Sequence, residues 1–189
     1  LSNLAVYFDR LRQYNKDGIL SEESGGCRVA ESWQSVRGRL SIFQKGETAP
    51  NIREDRALLG QIAVPLPAGL LSQRDFLGGR PAEWLIPARC DRRFAVLYFH
   101  GGGYAEGNLA YSRVMGTLIA QNGRIPTVLL DYRLAPENPF PAAIDDAAGA
   151  YEALLRRGFL PEHIAFAGES SGGGLAAAAA RAVLDKGLP

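Results

Sequence analysis

The chain has 189 residues, 47% of them apolar and 22% charged, and a formal net charge of +1. That is ordinary globular composition in a chain long enough to bury a core, and it excludes collagenous and disordered classes. Arginines are dispersed, and no run approaches the ~20 apolar residues of a membrane helix, so neither nucleic-acid binding nor stable membrane insertion is expected. Cys27 and Cys90 lack CxxC spacing and a neighbouring histidine. No metal or other cofactor is expected, and both are read as reduced thiols of a cytoplasmic protein.

The first 60 or so residues carry helical patterning. Asn3 suits the cap of a helix with Leu4, Phe8 and Leu11 on one face, and Val29, Trp33, Val36, Leu40 and Phe43 form a second apolar stripe. Residues 1–60 are therefore read as a helical segment that packs on the main domain or caps a site. Residues 61–189 then alternate strand and helix. Leu71–Leu77 and Glu83–Ile86 read as paired strands around Gly78-Gly79. The continuous apolar run Phe94–Phe99 reads as a strand buried on both faces. A helix is predicted from about Ala110 to Gln121, a strand over Thr127–Leu130, and a helix from Pro141 to about Leu155. Ile164–Ala167 reads as another buried strand and Ser171 to about Asp185 as the last helix. Repeated βαβ order predicts an α/β class, with a mostly parallel sheet and helices on both faces.

Gly168-Glu169-Ser170-Ser171-Gly172 lies directly between strand and helix. There a G-x-S-x-G sequence becomes a nucleophile elbow: the turn is so tight that only small residues fit two before and two after the serine. The turn presents the Ser170 hydroxyl at the carboxyl end of the sheet, where a helix N-terminus adds its positive dipole end. Alone, such a pentapeptide is weak evidence. A second element, His100-Gly101-Gly102-Gly103-Tyr104, follows another buried strand at the same edge. Glycines there free backbone N–H groups to face a cavity, as acyl transfer requires for its oxyanion. About 70 residues separate His100 from Ser170, room for two βα units of roughly 30 residues each. A phosphate loop is the rival reading, but both nucleotide fingerprints, G-x-G-x-x-G and G-K-[ST], are missing.

These two motifs, with Asp131-Tyr132-Arg133-Leu134-Ala135-Pro136-Glu137 between them, resemble the ordered signatures of the hormone-sensitive-lipase-like esterases, the bacterial family IV type. The resemblance extends from about Gly78 to Gly174. It implies an α/β-hydrolase fold with Ser170 attacking an ester or lactone carbonyl. Gly102, Gly103 and Ser171 would donate N–H bonds to the oxyanion, and Tyr104 would line the pocket. Glu169 and Ser171 stand where the family usually has Asp and Ala. Asp131, Arg133 and Glu137 are expected to pair with one another in a rigid structural connection.

The serine also needs a base and an orienting carboxylate, which in this fold come after it in sequence. Only two histidines exist, and both precede Ser170. His100 is expected to brace the oxyanion loop. His163 begins the strand that ends at the elbow, more than roughly 10 Å away. The chain is therefore expected to be a fragment, incomplete at its C-terminus and without its base. A receptor that keeps the serine but lacks the base, like the gibberellin receptors, is the alternative. Oligomeric state stays open, a homodimer included.

Overall fold

The computed structural model describes residues 51–61 and 65–189. Cys27 and the two predicted stripes between residues 3 and 43 lie outside them. The elements run α1 (Ile52–Gly60), β1 (Leu70–Leu77), β2 (Arg80–Pro87), β3 (Ala95–Phe99), α2 (Leu109–Gly123), β4 (Thr127–Leu130), α3 (Ala142–Arg156), β5 (Ile164–Gly168) and α4 (Ser171–Asp185). Contacts divide the chain into Leu1–Ala49 and Pro50–Pro189. Helix α1 therefore belongs with the sheet, and the boundary falls before the one drawn from sequence near residue 60.

Five strands form one sheet in the order β1-β2-β4-β3-β5. The β1–β2 hairpin pairs antiparallel and joins β4 antiparallel, whereas β4, β3 and β5 run parallel. Side chains of the inner strands alternate between two cores, as the period of two in a strand requires. Trp84, Leu97, Phe99, Val128 and Leu130 face α3 and α4, where Ala147, Ala150, Leu154, Leu175, Ala179 and Val183 meet them. Leu85, Tyr98 and Leu129 face the other way, against Leu109 and Ala120 of α2. Each fully buried large apolar side chain contributes about 1.5–3 kcal/mol, which explains why these runs carry no polar alternation.

One expectation is corrected. Strand β5 is not buried on both faces: Ala165 is exposed and its neighbours are half-buried. The strand lies at the sheet edge, and among the described residues only β3 pairs with it.

Candidate active site

The carboxyl ends of β3 and β5 lie side by side because Phe99 pairs with Gly168. The loops that leave these two strand ends are therefore adjacent. Ser170 has φ 52° and ψ −124°, a left-handed conformation for a residue with a side chain, directly before α4. Holding it there costs on the order of 1–3 kcal/mol, which the surrounding structure must offset. Backbone bonds close the turn: Gly172 N–H donates to Glu169 O at 2.8 Å, and Gly173 N–H to Ser170 O at 3.1 Å. Both elbow glycines are forced by close approach. A Cβ at Gly168 would lie 2.7 Å from Phe99 O, and one at Gly172 would lie 2.6 Å from His100 O. Ser170 itself is exposed.

The loop after β3 turns back sharply. Gly102 has φ +113°, Gly103 φ +61° and Tyr104 φ 61°. Ala105 and Glu106 N–H groups both donate to Gly102 O, at 3.0 and 2.9 Å. Among the described residues nothing accepts from the N–H groups of Gly102, Gly103 or Ser171. Gly101 brings this loop against the elbow: a Cβ there would lie 3.2 Å from Ser170 Cβ. Its own N–H donates to Glu169 Oε1 at 2.7 Å. Tyr104 leans over the first turn of α4, and a Cβ at Gly174 would meet its hydroxyl at 2.6 Å. The structure thus brings together His100, Gly101, Gly102, Gly103, Tyr104, Gly168, Glu169, Ser170, Ser171 and Gly172 at one sheet edge.

His100 is fully buried. Its ring stacks on Tyr132 with centroids 4.3 Å apart. Nδ1 lies 2.7 Å from Gly101 O, so the Nδ1–H donates there. That leaves Nε2 without a proton in the neutral ring, and among the described residues it has no hydrogen-bond partner. Burial lowers the ring's pKa below the usual value. Neither nitrogen is bonded to Ser170, and the only ring-to-loop bond among the described residues is that to Gly101 O. His163 stands at the start of β5, its ring 4.3 Å from that of Phe94 at the foot of β3. Among the described residues, no imidazole reaches the Ser170 hydroxyl.

Three residues that hold this site escaped the sequence reading of it. Tyr132 O–H donates to His100 O at 2.6 Å. Tyr98 O–H donates to the Glu169 carboxylate. Arg56 of α1 donates to Ala105 O and Ala135 O, each at 2.7 Å, and pairs with Glu137 at 2.8 Å. The expected pairing within Asp131–Glu137 is also corrected. Arg133 pairs with buried Asp146 of α3 at 2.7 Å, Glu137 pairs outward with Arg56, and Arg80 donates to the Asp131 carbonyl. The Arg133 and Glu137 side chains leave the connection in different directions while Arg80 holds its backbone at Asp131, so α3, α1 and β2 all brace the segment. Two open concave regions are a cleft of about 260 Å³ around Trp84 and Phe159 and one of about 390 Å³ around Arg56, Asp131 and Tyr132. Ser170 lines neither. No described helix is long and apolar enough to cross a membrane.

A family model described as the alpha/beta hydrolase fold matches residues 96–189. An acetyl-hydrolase of Streptomyces hygroscopicus is 40% identical over 149 residues, covering 77% of this chain and 48% of that protein. The carboxylesterase NlhH of Mycobacterium tuberculosis is 35% identical over 153 residues, 75% of this chain and 48% of its own. The chain thus spans about half the length of these curated relatives. Among solved structures, an esterase from the bacterial hormone-sensitive lipase family superposes with TM-score 0.73 at 38% identity, covering 82% of this chain and 53% of that one. Strand order, elbow, glycine loop and these likenesses agree: the chain belongs to the α/β-hydrolase fold family and is similar there to the hormone-sensitive-lipase-like proteins.

Proposed function

We propose that the protein carrying this chain hydrolyses carboxylic esters of short acyl groups, lactones included, through Ser170. The observation that carries the reading is the pairing of a strained Ser170 with three uncommitted N–H groups, those of Gly102, Gly103 and Ser171, on adjoining loops. Ser170 Oγ attacks the ester carbonyl carbon while its proton passes to a base. The carbonyl π pair moves onto oxygen, where the N–H groups bind it as an oxyanion. Collapse expels the alcohol, which takes that proton, and leaves an acyl-serine. Water then adds at the same carbon, losing a proton to the base, and the acid departs as Ser170 regains its proton. Neither His100 nor His163 is placed to be that base. We assign it, with its orienting carboxylate, to a segment outside residues 1–189. The names of the relatives, acetyl-hydrolase and carboxylesterase, support the substrate class.

The test is a panel of p-nitrophenyl esters and lactones, with a fluorophosphonate probe, on the natural protein that contains this chain. Hydrolysis of the short esters, with probe labelling abolished by Ser170→Ala, is expected. Labelling that survives Ser170→Ala would overturn the choice of nucleophile. Binding of ester-like ligands without turnover would replace the enzyme by a receptor.

A further inference from the structure

Glu169 is the residue between the elbow glycine and Ser170, and its carboxylate points away from the reacting centre toward β3. One oxygen accepts the Gly101 N–H at 2.7 Å, and the other accepts the Tyr98 hydroxyl. Tyr98 is 1% exposed, and its hydroxyl is held protonated by burial and by the adjacent carboxylate, so it is a dependable donor. The carboxylate is thus held between a core side chain and the first glycine of the oxyanion loop. The Gly101 N–H is thereby committed and drops out of the donor set, leaving the anion to Gly102, Gly103 and Ser171. The height of the loop above the elbow is also set by the residue whose backbone carries Ser170, so nucleophile and donors move as one piece.

We propose that Glu169 is a positioning residue, one that fixes the oxyanion donors relative to Ser170 through Gly101 and Tyr98. This rests on the reading of Ser170 as nucleophile. A carboxylate near a forming oxyanion opposes it by charge, so the two possible actions of Glu169 have opposite signs. If charge alone mattered, Glu169→Gln and Glu169→Ala would both speed the reaction. If positioning matters, they separate. Gln still offers its Oε1 to Gly101 N–H and its amide N–H to the Tyr98 oxygen, whereas Ala offers nothing.

The experiment uses the natural protein with p-nitrophenyl acetate. Glu169→Ala should lower kcat about 10²-fold with KM within about threefold, the cost of misplacing reacting groups by around an ångström. Glu169→Gln should recover to within about tenfold of wild type. Amide hydrogen exchange in residues 100–104 should rise in the Ala variant and stay near wild type in Gln. Should the Ala variant fail to fold, Tyr98→Phe takes its place, with kcat down about three- to tenfold. Equal kcat in wild type and Ala, equal losses in Ala and Gln, or unchanged exchange in the loop would each overturn the proposal. Failure of the esterase reading looks different. The wild-type protein would then turn over no ester, while the exchange response to Glu169→Ala would still report whether the loop is held.

Discussion

Replacing Gly172 by alanine adds one methyl group at the most crowded point of the elbow. The new carbon would lie 2.6 Å from His100 O and 2.8 Å from His100 C, and it would also meet Phe99 O. Carbon contacts are comfortable only from about 3.5 Å. None of these atoms ends a flexible side chain; all are backbone at the end of β3, paired to β4 and β5 on either side. Relief therefore requires α4 to lift or β3 to bend. Overpacking of this kind costs about 1–3 kcal/mol, and a rigid surround places Gly172→Ala at the upper end. In a cooperative unit of about 150–250 residues that lowers Tm by about 6–12 °C. Gly103→Ala is the control. Nothing lies within 4 Å of its Cβ position, but its φ of +61° disfavours any side chain by roughly 1–2 kcal/mol. Thermal and denaturant unfolding should therefore rank Gly172→Ala as the more damaging. A Gly172→Ala protein that melts within about 2 °C of wild type, or above Gly103→Ala, would refute the account of the elbow as a sterically closed turn.

Asp146 is 4% exposed and accepts from the Arg133 side chain and backbone N–H; Asp146→Ala should cost about 2–4 kcal/mol in denaturant unfolding, Arg133's partial exposure softening the loss. Arg56→Ala frees the carbonyls of Ala105 and Ala135; exchange in residues 102–106 should increase and kcat fall several-fold, with less than about 1 kcal/mol lost in global stability. Burial lowers the His100 pKa, so the unfolded chain takes up a proton that the folded ring refuses. Stability from this group is complete above the unfolded value of about 6.5 and is lost as pH falls below it, by up to ~1.4 kcal/mol per unit. His100→Asn should flatten that slope between about pH 5.5 and 6.5. The Asp75 carboxyl, held at about 2 chiefly by its hydrogen bonds to Arg157, contributes only at lower pH. A wild-type unfolding free energy independent of pH from about 5 to 7 would contradict the buried neutral ring.

What could be read from the sequence was whatever is local. Leu97 and Leu129 sit in runs whose every residue is buried, so β3 and β4 announced themselves by lacking polar alternation. The elbow was readable because its constraint lies within five consecutive residues. Helix α4 begins at Ser171 as expected, since the positive φ of Ser170 ends the strand geometry there. The holding residues were hidden for the opposite reason. Arg56 belongs to a polar helix far ahead in sequence, and nothing in that helix says that its guanidinium meets Ala105, Ala135 and Glu137. Tyr98 reads as one more apolar residue of a buried strand, and only the pairing of β3 with β5 turns its hydroxyl into a partner for Glu169. Asp131, Arg133 and Glu137 looked self-sufficient because alternating charges in one segment can pair; instead Arg133 goes to Asp146 and Glu137 to Arg56.

Strand register links the core to the chemistry. Tyr98 lies level with Leu129 on one side and Ala167 on the other, and Phe99 lies level with Gly168. Continuing one step places His100 beside Glu169, and a second places Gly101 beside Ser170, where the 3.2 Å approach of a Gly101 Cβ to Ser170 Cβ is found. The glycine loop and Ser170 therefore meet because β3 and β5 are in step, and not because either loop seeks the other. What fixes that step is apolar: Phe99 packs edge-on against Phe166 at 5.9 Å, and Phe166 packs against Tyr151 of α3 at 5.5 Å. A slip of one residue would turn the Glu169 side chain to the opposite face of the sheet and break its bonds to both Gly101 and Tyr98. The arrangement is in this sense a consequence of core packing: Phe99, Phe166 and Gly172 keep Ser170 against the glycine loop.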